Sequence, residues 1–507
     1  MTLFKYSIIF AVLAEALSFL SFASPQTGAW LFGIVAVSAI VLTIRRLEHG
    51  VMLVFGELVI GSFGRMLEIS IGGFEVSIRM ALWLAVMLAW GARAAQKRRI
   101  EFLHSKLFKP YLALAVILGW GIAWGALRGN ELGLVFSDAN NYLYFALIFP
   151  MYDVLSSSDA LRRVGIVITA AMGYLAAKTV ILFYIFSHEL FGLQDVLYAW
   201  SRASHLAEIT NVDPTAILSR IFMQSQIWLV FGVFMLLGVL FMSLRAKRSN
   251  PNNETEPNVS NKPYGDNKIA SAYGLAMTIG LLVLSLAAII ASFSRSFWLA
   301  MVIAFVALII ALFVIMPKRI KTIGRFVAIT AGTGVLALGL VVVAMQFPIP
   351  PSNADADLIK NRAGKFTGEA AVSSRYAQIR PLLESIKNHP VLGAGFGTSV
   401  TYQSQDPRVL KNNPDGNYTT TAFELGWLEM WLKIGLLGVG AYLYLLWRIL
   451  KSGWRIASRE KNYFILGALA GLVAVVLTHG VSPYLNHPLG ISIVMLVTGL
   501  VDKKQDT

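Results

Sequence analysis

Apolar residues gather into fourteen runs, at 6–23, 28–44, 50–63, 75–93, 110–127, 136–155, 164–187, 216–243, 270–291, 297–316, 326–346, 425–447, 463–479 and 483–501. Most approach the ~20 residues that ~30 Å of hydrocarbon demands of a spanning helix. The pattern predicts an all-α polytopic membrane protein with about 12–14 transmembrane helices. The third run and the last two account for the lower figure, and Gly56, Gly61 and Gly64 leave the third open between a spanning and a broken or re-entrant helix. Lys5 and Ser21-Phe22-Ala23 are arranged as in a cleaved signal peptide, but Glu15 within the first run favours a first membrane helix.

Two polar intervals stand outside this pattern. Residues 244–268 are rich in Asn and Pro with no apolar period, which predicts a linker. Residues 347–424 are too long and too patterned to be a plain connection. The chain therefore divides into N-terminal membrane helices (1–243), a cytoplasmic linker (244–268), further helices with an outer Ser-Arg turn (269–346), an extracytoplasmic loop (347–424) and C-terminal helices (425–501).

Composition agrees: 56% of the 507 residues are hydrophobic and 14% charged, where soluble proteins carry about 25% charged residues. Mean hydropathy is +0.64. The net charge of +15 is spread over alternate short loops, as the positive-inside rule places it, so a nucleic-acid partner is not expected. One set of loops holds Arg45, Arg46, the cluster from Arg93 to Lys109, Arg162, Arg163, Lys318, Arg319, Lys451 and Arg455. The other holds little beyond Arg65, Arg128, Arg202 and Arg295. Both termini are therefore expected in the cytoplasm, with the bilayer as the protein's solvent.

Candidate chemistry concentrates on the outer side. A helix starting near Ser373 or Ser374 puts Ile379, Leu382 and Ile386 on one face, with Arg375 within about 40° of all three. An arginine in line with a buried stripe needs a partner, since unpaired buried charge is costly. Gln378 shares that helix and joins Arg220 among the candidate substrate-binding residues. Ser292-Phe293-Ser294-Arg295-Ser296 forms a turn leading into an apolar helix that Ser294 or Ser296 can cap. The helix N-terminus and the Arg295 guanidinium together make an anion site. Arg220 can join it from the outer end of the eighth run.

Ionisable residues inside apolar runs are expensive, and Glu15, Glu57, Lys178, Glu429 and Lys433 are of this kind. Glu429 and Lys433 have the spacing of an intrahelical pair. Gly393-Ala394-Gly395-Phe396-Gly397 follows a helix and Pro390, so it reads as a turn rather than a nucleotide loop. None of the seven histidines is spaced for a metal pair, and there are no cysteines, so neither metal nor cofactor is expected.

Three stretches together resemble the O-antigen ligase family, which includes O-antigen and exopolysaccharide polymerases. They are ASFSRSFWLA (291–300), SSRYAQIRPLLESIKNHPVLGAGFGT (373–398) and TTTAFELGWLEMWLKIGLLGVG (419–440). The resemblance implies a metal-independent, inverting glycosyltransferase of the inner membrane. Its donor would be a glycan on undecaprenyl pyrophosphate, and its acceptor a glycan or a lipid-linked acceptor. It also implies that Arg295 and Arg375 hold the pyrophosphate. Fourteen residues before Gly438, where ligases carry a His-Asn pair, this chain has Glu424-Leu425. Glu424 is accordingly the candidate base, and polymerases remain as open as ligases. The competing class is a transporter such as a lipid-linked oligosaccharide flippase, which would put its site near the midplane between repeated halves.

Overall fold

Apolar length translates directly into helix in the computed structural model, which describes residues 2–188, 190, 192–211, 219–246, 266–347, 370–405 and 407–502. Among these, 11 helices are long and apolar enough to cross a membrane. The three remaining runs form the shorter helices Leu47–Ile60, Tyr463–His479 and Pro488–Val501. The protein is an all-α polytopic membrane protein. The linker 247–265 and residues 348–369 of the large loop lie outside the described residues.

Contacts between residues distant in sequence sort the connections into two ends. At one end Gln224 N–H donates to Ser62 Oγ (3.1 Å), Arg220 Nε to Ser292 O (2.9 Å) and Asn130 Nδ2 to Phe396 O (2.7 Å). At the other, Arg163 Nη2 meets Glu48 Oε2 (2.8 Å), Arg93 Nη2 meets Ile44 O (2.8 Å) and Arg448 Nη2 meets Lys106 O (3.2 Å). Helices alternate between these ends, as the loop charges predict.

The centre is the helix Ile227–Ala246, whose Trp228, Phe231 and Phe234 are fully buried. It packs on Tyr463–His479 at a backbone separation that only glycine permits. A Cβ on Gly467 would stand 2.3 Å from Phe234 O, so the small residue sets the helix spacing.

One open alternative is resolved and two expectations need correction. The third run is one unbroken helix, Leu47–Ile60, ending at Gly61. Its Glu48 lies at one end of the bundle and the following Ser62 at the other, so it crosses rather than re-enters. Fourteen residues suffice because it is buried among other helices instead of facing lipid. The eighth run does not begin as helix. Ser219–Phe222 is a strand paired antiparallel with Glu208–Asn211, and helix starts only after Gln224. Arg220 therefore sits in a strand ahead of the helix, with its guanidinium 4.4 Å from the Phe222 ring centroid. The last helix begins at Pro488, leaving 480–487 as a connection.

Intramembrane charges are paired, as a low-dielectric surrounding requires. Lys178 bonds Glu15, whose other oxygen accepts Tyr174 OH (2.9 Å). Arg79 Nε meets Glu57 Oε2 at 2.8 Å. Lys433 Nζ meets Glu429 Oε1 at 2.6 Å, the spacing predicted, and also Asp138 Oδ1 at 2.8 Å.

Candidate active site

The loop helix, Ala370–Asn388, buries Ser374, Gln378, Leu382 and Ile386, each four residues from the last. Ile379 and Arg375 lie on its half-buried flank rather than on the stripe itself. Leu382 and Ile386 pack with Ala394, Val400, Phe423 and Leu432 into a small core separate from that of the bundle. The two polar members continue the stripe toward the membrane junction. There Gln378 Nε2 donates to Ser374 Oγ (3.3 Å) and to Tyr402 OH (3.2 Å). Tyr402 comes from the hairpin Val400–Gln403/Asn417–Thr420.

Gln378 also holds the segment that enters the membrane, because its Oε1 accepts the N–H of Glu424 at 3.1 Å. The Glu424 side chain turns toward Arg375, with Nε 2.8 Å from Oε2. Side-chain exposures of 31% and 39% leave both groups open to a ligand. The partner that Arg375 requires is thus the candidate base itself.

Two residues on, the kinked helix Gly426–Arg459 begins; Gly435 within it is non-helical (φ 69°, ψ −179°). A break in a membrane helix frees backbone groups that must be satisfied by protein. The 389–398 turn satisfies them in both directions. Ala394 N–H donates to Leu432 O (2.7 Å) and Gly395 N–H to Lys433 O (3.0 Å). In return Leu436 N–H donates to Pro390 O (3.0 Å) and Leu437 N–H to Val391 O (3.2 Å). Gly393, Gly395 and Gly397 all have positive φ, from 77° to 88°, which side-chain-bearing residues adopt at a cost. The Gly-x-Gly-x-Gly stretch is a turn, as its context predicts, and it is a membrane-anchored one.

The Ser-Arg turn lies at the same end. Its helix runs from Arg295 to Ile315 with Ser294 at the N-cap position, but neither serine caps it in the expected way. Ser294 Oγ instead meets Ser296 Oγ (3.0 Å), and Ser294 N–H donates to Ser292 Oγ (3.2 Å). Phe293 carries φ +48°, a strained value for an aromatic residue that only surrounding structure can hold. Arg220 Nε, bonded to Ser292 O, ties the paired strands Glu208–Asn211 and Ser219–Phe222 to this turn.

The seven candidates therefore form two sets, one of Arg375, Gln378 and Glu424 and one of Arg220, Ser294, Arg295 and Ser296. A packed path joins them. Gly426 is backed by His479, whose Nδ1 accepts Leu485 N–H (3.1 Å), and Tyr484 packs on Phe297, 5.9 Å between centroids. Sequence reasoning missed Asp138, Tyr402 and His479. Asp138 lies inside an apolar run, and that position alone is a signal of function or pairing. Among the described residues no group of three or more His, Asp or Glu is placed to hold a metal ion.

No curated protein and no solved structure matches the chain. Residues 280–443 match the family model described as O-antigen ligase. The match spans the Ser-Arg turn, the loop helix, the glycine turn and the kink at Gly435, so over that segment the chain is similar to the O-antigen ligase family.

Proposed function

We propose that the protein is a membrane glycosyltransferase of the O-antigen ligase or polymerase type, working at the outer face of a bacterial inner membrane with both termini in the cytoplasm. Its donor is a glycan on undecaprenyl pyrophosphate, and its acceptor a glycan or a lipid-linked acceptor. The observation that carries this reading is the Arg375–Glu424 pair, set half-open where the loop enters the membrane.

The chemistry follows from that pair. An acceptor hydroxyl is a poor nucleophile, and Glu424 takes its proton as the new bond forms at the anomeric carbon. The bond from that carbon to the pyrophosphate oxygen breaks on the opposite face, inverting the centre, and the electron pair leaves with undecaprenyl pyrophosphate. Fixed guanidinium groups stabilise the charge that develops there. Arg375, Arg295 and Arg220 supply them, each able to present a planar fork to phosphate oxygens. Arriving pyrophosphate gives Arg375 a stronger anionic partner than Glu424, so donor binding releases the carboxylate for the acceptor. Ser294 and Ser296 offer hydroxyls to the phosphates. Gln378, whose amide is engaged by Ser374, Tyr402 and Glu424, acts as a positioning residue rather than as a contact to substrate.

Purified protein given an undecaprenyl-pyrophosphate glycan and a second glycan acceptor should release undecaprenyl pyrophosphate and yield a longer or transferred glycan. Product size separates polymerase from ligase. Failure to turn over with any lipid-linked glycan would overturn the reading.

A further inference from the structure

At the end of the bundle opposite Arg375, a cavity of about 330 Å³ opens where Pro25–Arg45 and Ile78–Lys97 finish, beside the Asp153–Ala160 junction. Six cations line it, Arg45, Arg46, Arg93, Lys97, Arg99 and Arg163, against two carboxylates, Glu48 and Asp153. Glu48 is engaged in an ion pair with Arg163. Asp153 Oδ2 accepts the indole N–H of Trp90 at 2.9 Å, whereas its other oxygen is buried without a hydrogen-bond partner. Arg93 is occupied by the last carbonyls of Pro25–Arg45, and Arg99 pairs with Glu101 at 3.0 Å. Arg45, Arg46 and Lys97 thus face the cavity, and among the described residues no carboxylate forms an ion pair with them.

A loop that merely obeys the positive-inside rule needs no cavity, and its side chains spread into water. Here three cations share one recess, and its walls are membrane helices. Further along the same two helices, Val41 (44%), Ile44 (63%) and Leu88 (71%) are exposed apolar residues. Trp90, stacked on Phe149 at 5.3 Å, marks the interfacial level. A ligand seated there would place an anionic head among the cations and acyl chains along the adjoining helices. Basic recesses between transmembrane helices recognise lipid head groups in this way.

We propose that this recess binds the phosphodiester head group of an anionic phospholipid, independently of the transferase site. The adjoining apolar surface favours a lipid over a soluble phosphate.

The test uses the full-length protein in nanodiscs of phosphatidylcholine containing phosphatidylglycerol, with bound lipid counted by native mass spectrometry. Wild type should retain phosphatidylglycerol in excess of its bulk fraction. Each neutralised cation should weaken binding about fivefold, so Arg46→Gln/Lys97→Gln should lose about 25-fold. Arg455→Gln/Arg459→Gln removes the same charge from the same end outside the recess and should retain the lipid. Equal loss in both variants would show diffuse surface charge and overturn the proposal. So would displacement of the lipid by millimolar inorganic phosphate or glycerol phosphate, or absence of any enrichment. Arg45→Gln/Lys97→Gln replaces the first variant if that one fails to fold in phosphatidylcholine alone.

Discussion

Asp138 bridges two segments of the site: its Oδ1 lies 2.8 Å from Lys433 Nζ and its Oδ2 accepts the N–H of Gly397 at 2.8 Å. One buried carboxylate thus fastens the glycine turn to the kinked helix, with Glu429 sharing the lysine. Removing the carboxylate leaves Lys433 paired with Glu429 but strips the Gly397 amide of its acceptor, at a cost of about 1–3 kcal/mol. Asp138→Ala should therefore lower the thermal midpoint. Asp138→Asn keeps an acceptor for Gly397 and should lose less. Unfolding midpoints within a degree of wild type for Asp138→Ala would show that the bridge contributes little.

Arg375 is expected to contribute shape as well as charge. Arg375→Lys retains the cation but loses the planar fork, and turnover should fall substantially while protein level holds. Arg375→Ala should fall further. Transfer assays on both variants measure this, and full activity of the alanine variant would remove Arg375 from the mechanism.

Glu424→Gln preserves size and the backbone bond to Gln378 but cannot take a proton. Turnover is expected to drop about 10²–10⁴-fold, with binding of the lipid-linked donor unchanged or tighter, since Arg375 is no longer shared with a carboxylate. A near wild-type rate would leave Glu424 only a helix-entry residue.

His389 lies against Arg128, and burial together with that guanidinium holds its imidazole below the usual histidine value. The neutral form is thus favoured in the fold. Unfolded chain protonates first as pH drops past about 6.5, so stability declines from there until the lowered folded value is reached. His389→Gln should flatten that segment of the midpoint-versus-pH curve. An unchanged curve would mean that the histidine does not contribute.

Reporter fusions decide the orientation. Those after Arg248 and Lys321 should report the cytoplasm, and one near Asp415 the outer compartment. A cytoplasmic Asp415 would remove the transferase reading along with the topology.

Most of the helices were legible because hydrocarbon thickness acts on sequence directly: a spanning segment must be apolar over a set length. The eighth run shows where that logic fails. Average apolarity ran on through Ser219–Phe222, and only pairing with Glu208–Asn211, invisible to a window along the chain, makes it a strand. The same gap separates residues from partnerships. Glu15 and Lys178 were each recognisable as costly, yet their mutual bond joins residues 163 positions apart. Arg375 demanded a partner by its place on the helix, but nothing local named Glu424. Asp138 escaped notice because one carboxylate hardly alters the apolarity of the run that holds it.

The exchange of backbone bonds at Gly435 also fixes an order of assembly. Pro390–Gly395 leaves the ribosome before the helix that completes its bonds, so on emergence the Ala394 and Gly395 amides have only water as partners. They find Leu432 and Lys433 once Gly426–Arg459 has inserted, and Gly435 cannot leave helical geometry at low cost until the turn is there to receive it. A nascent chain halted before Leu437 would already hold every candidate arginine and Glu424, but without the bonds that join the glycine turn to the kinked helix. Competence for transfer would arrive late in synthesis, with the insertion of the final membrane helices.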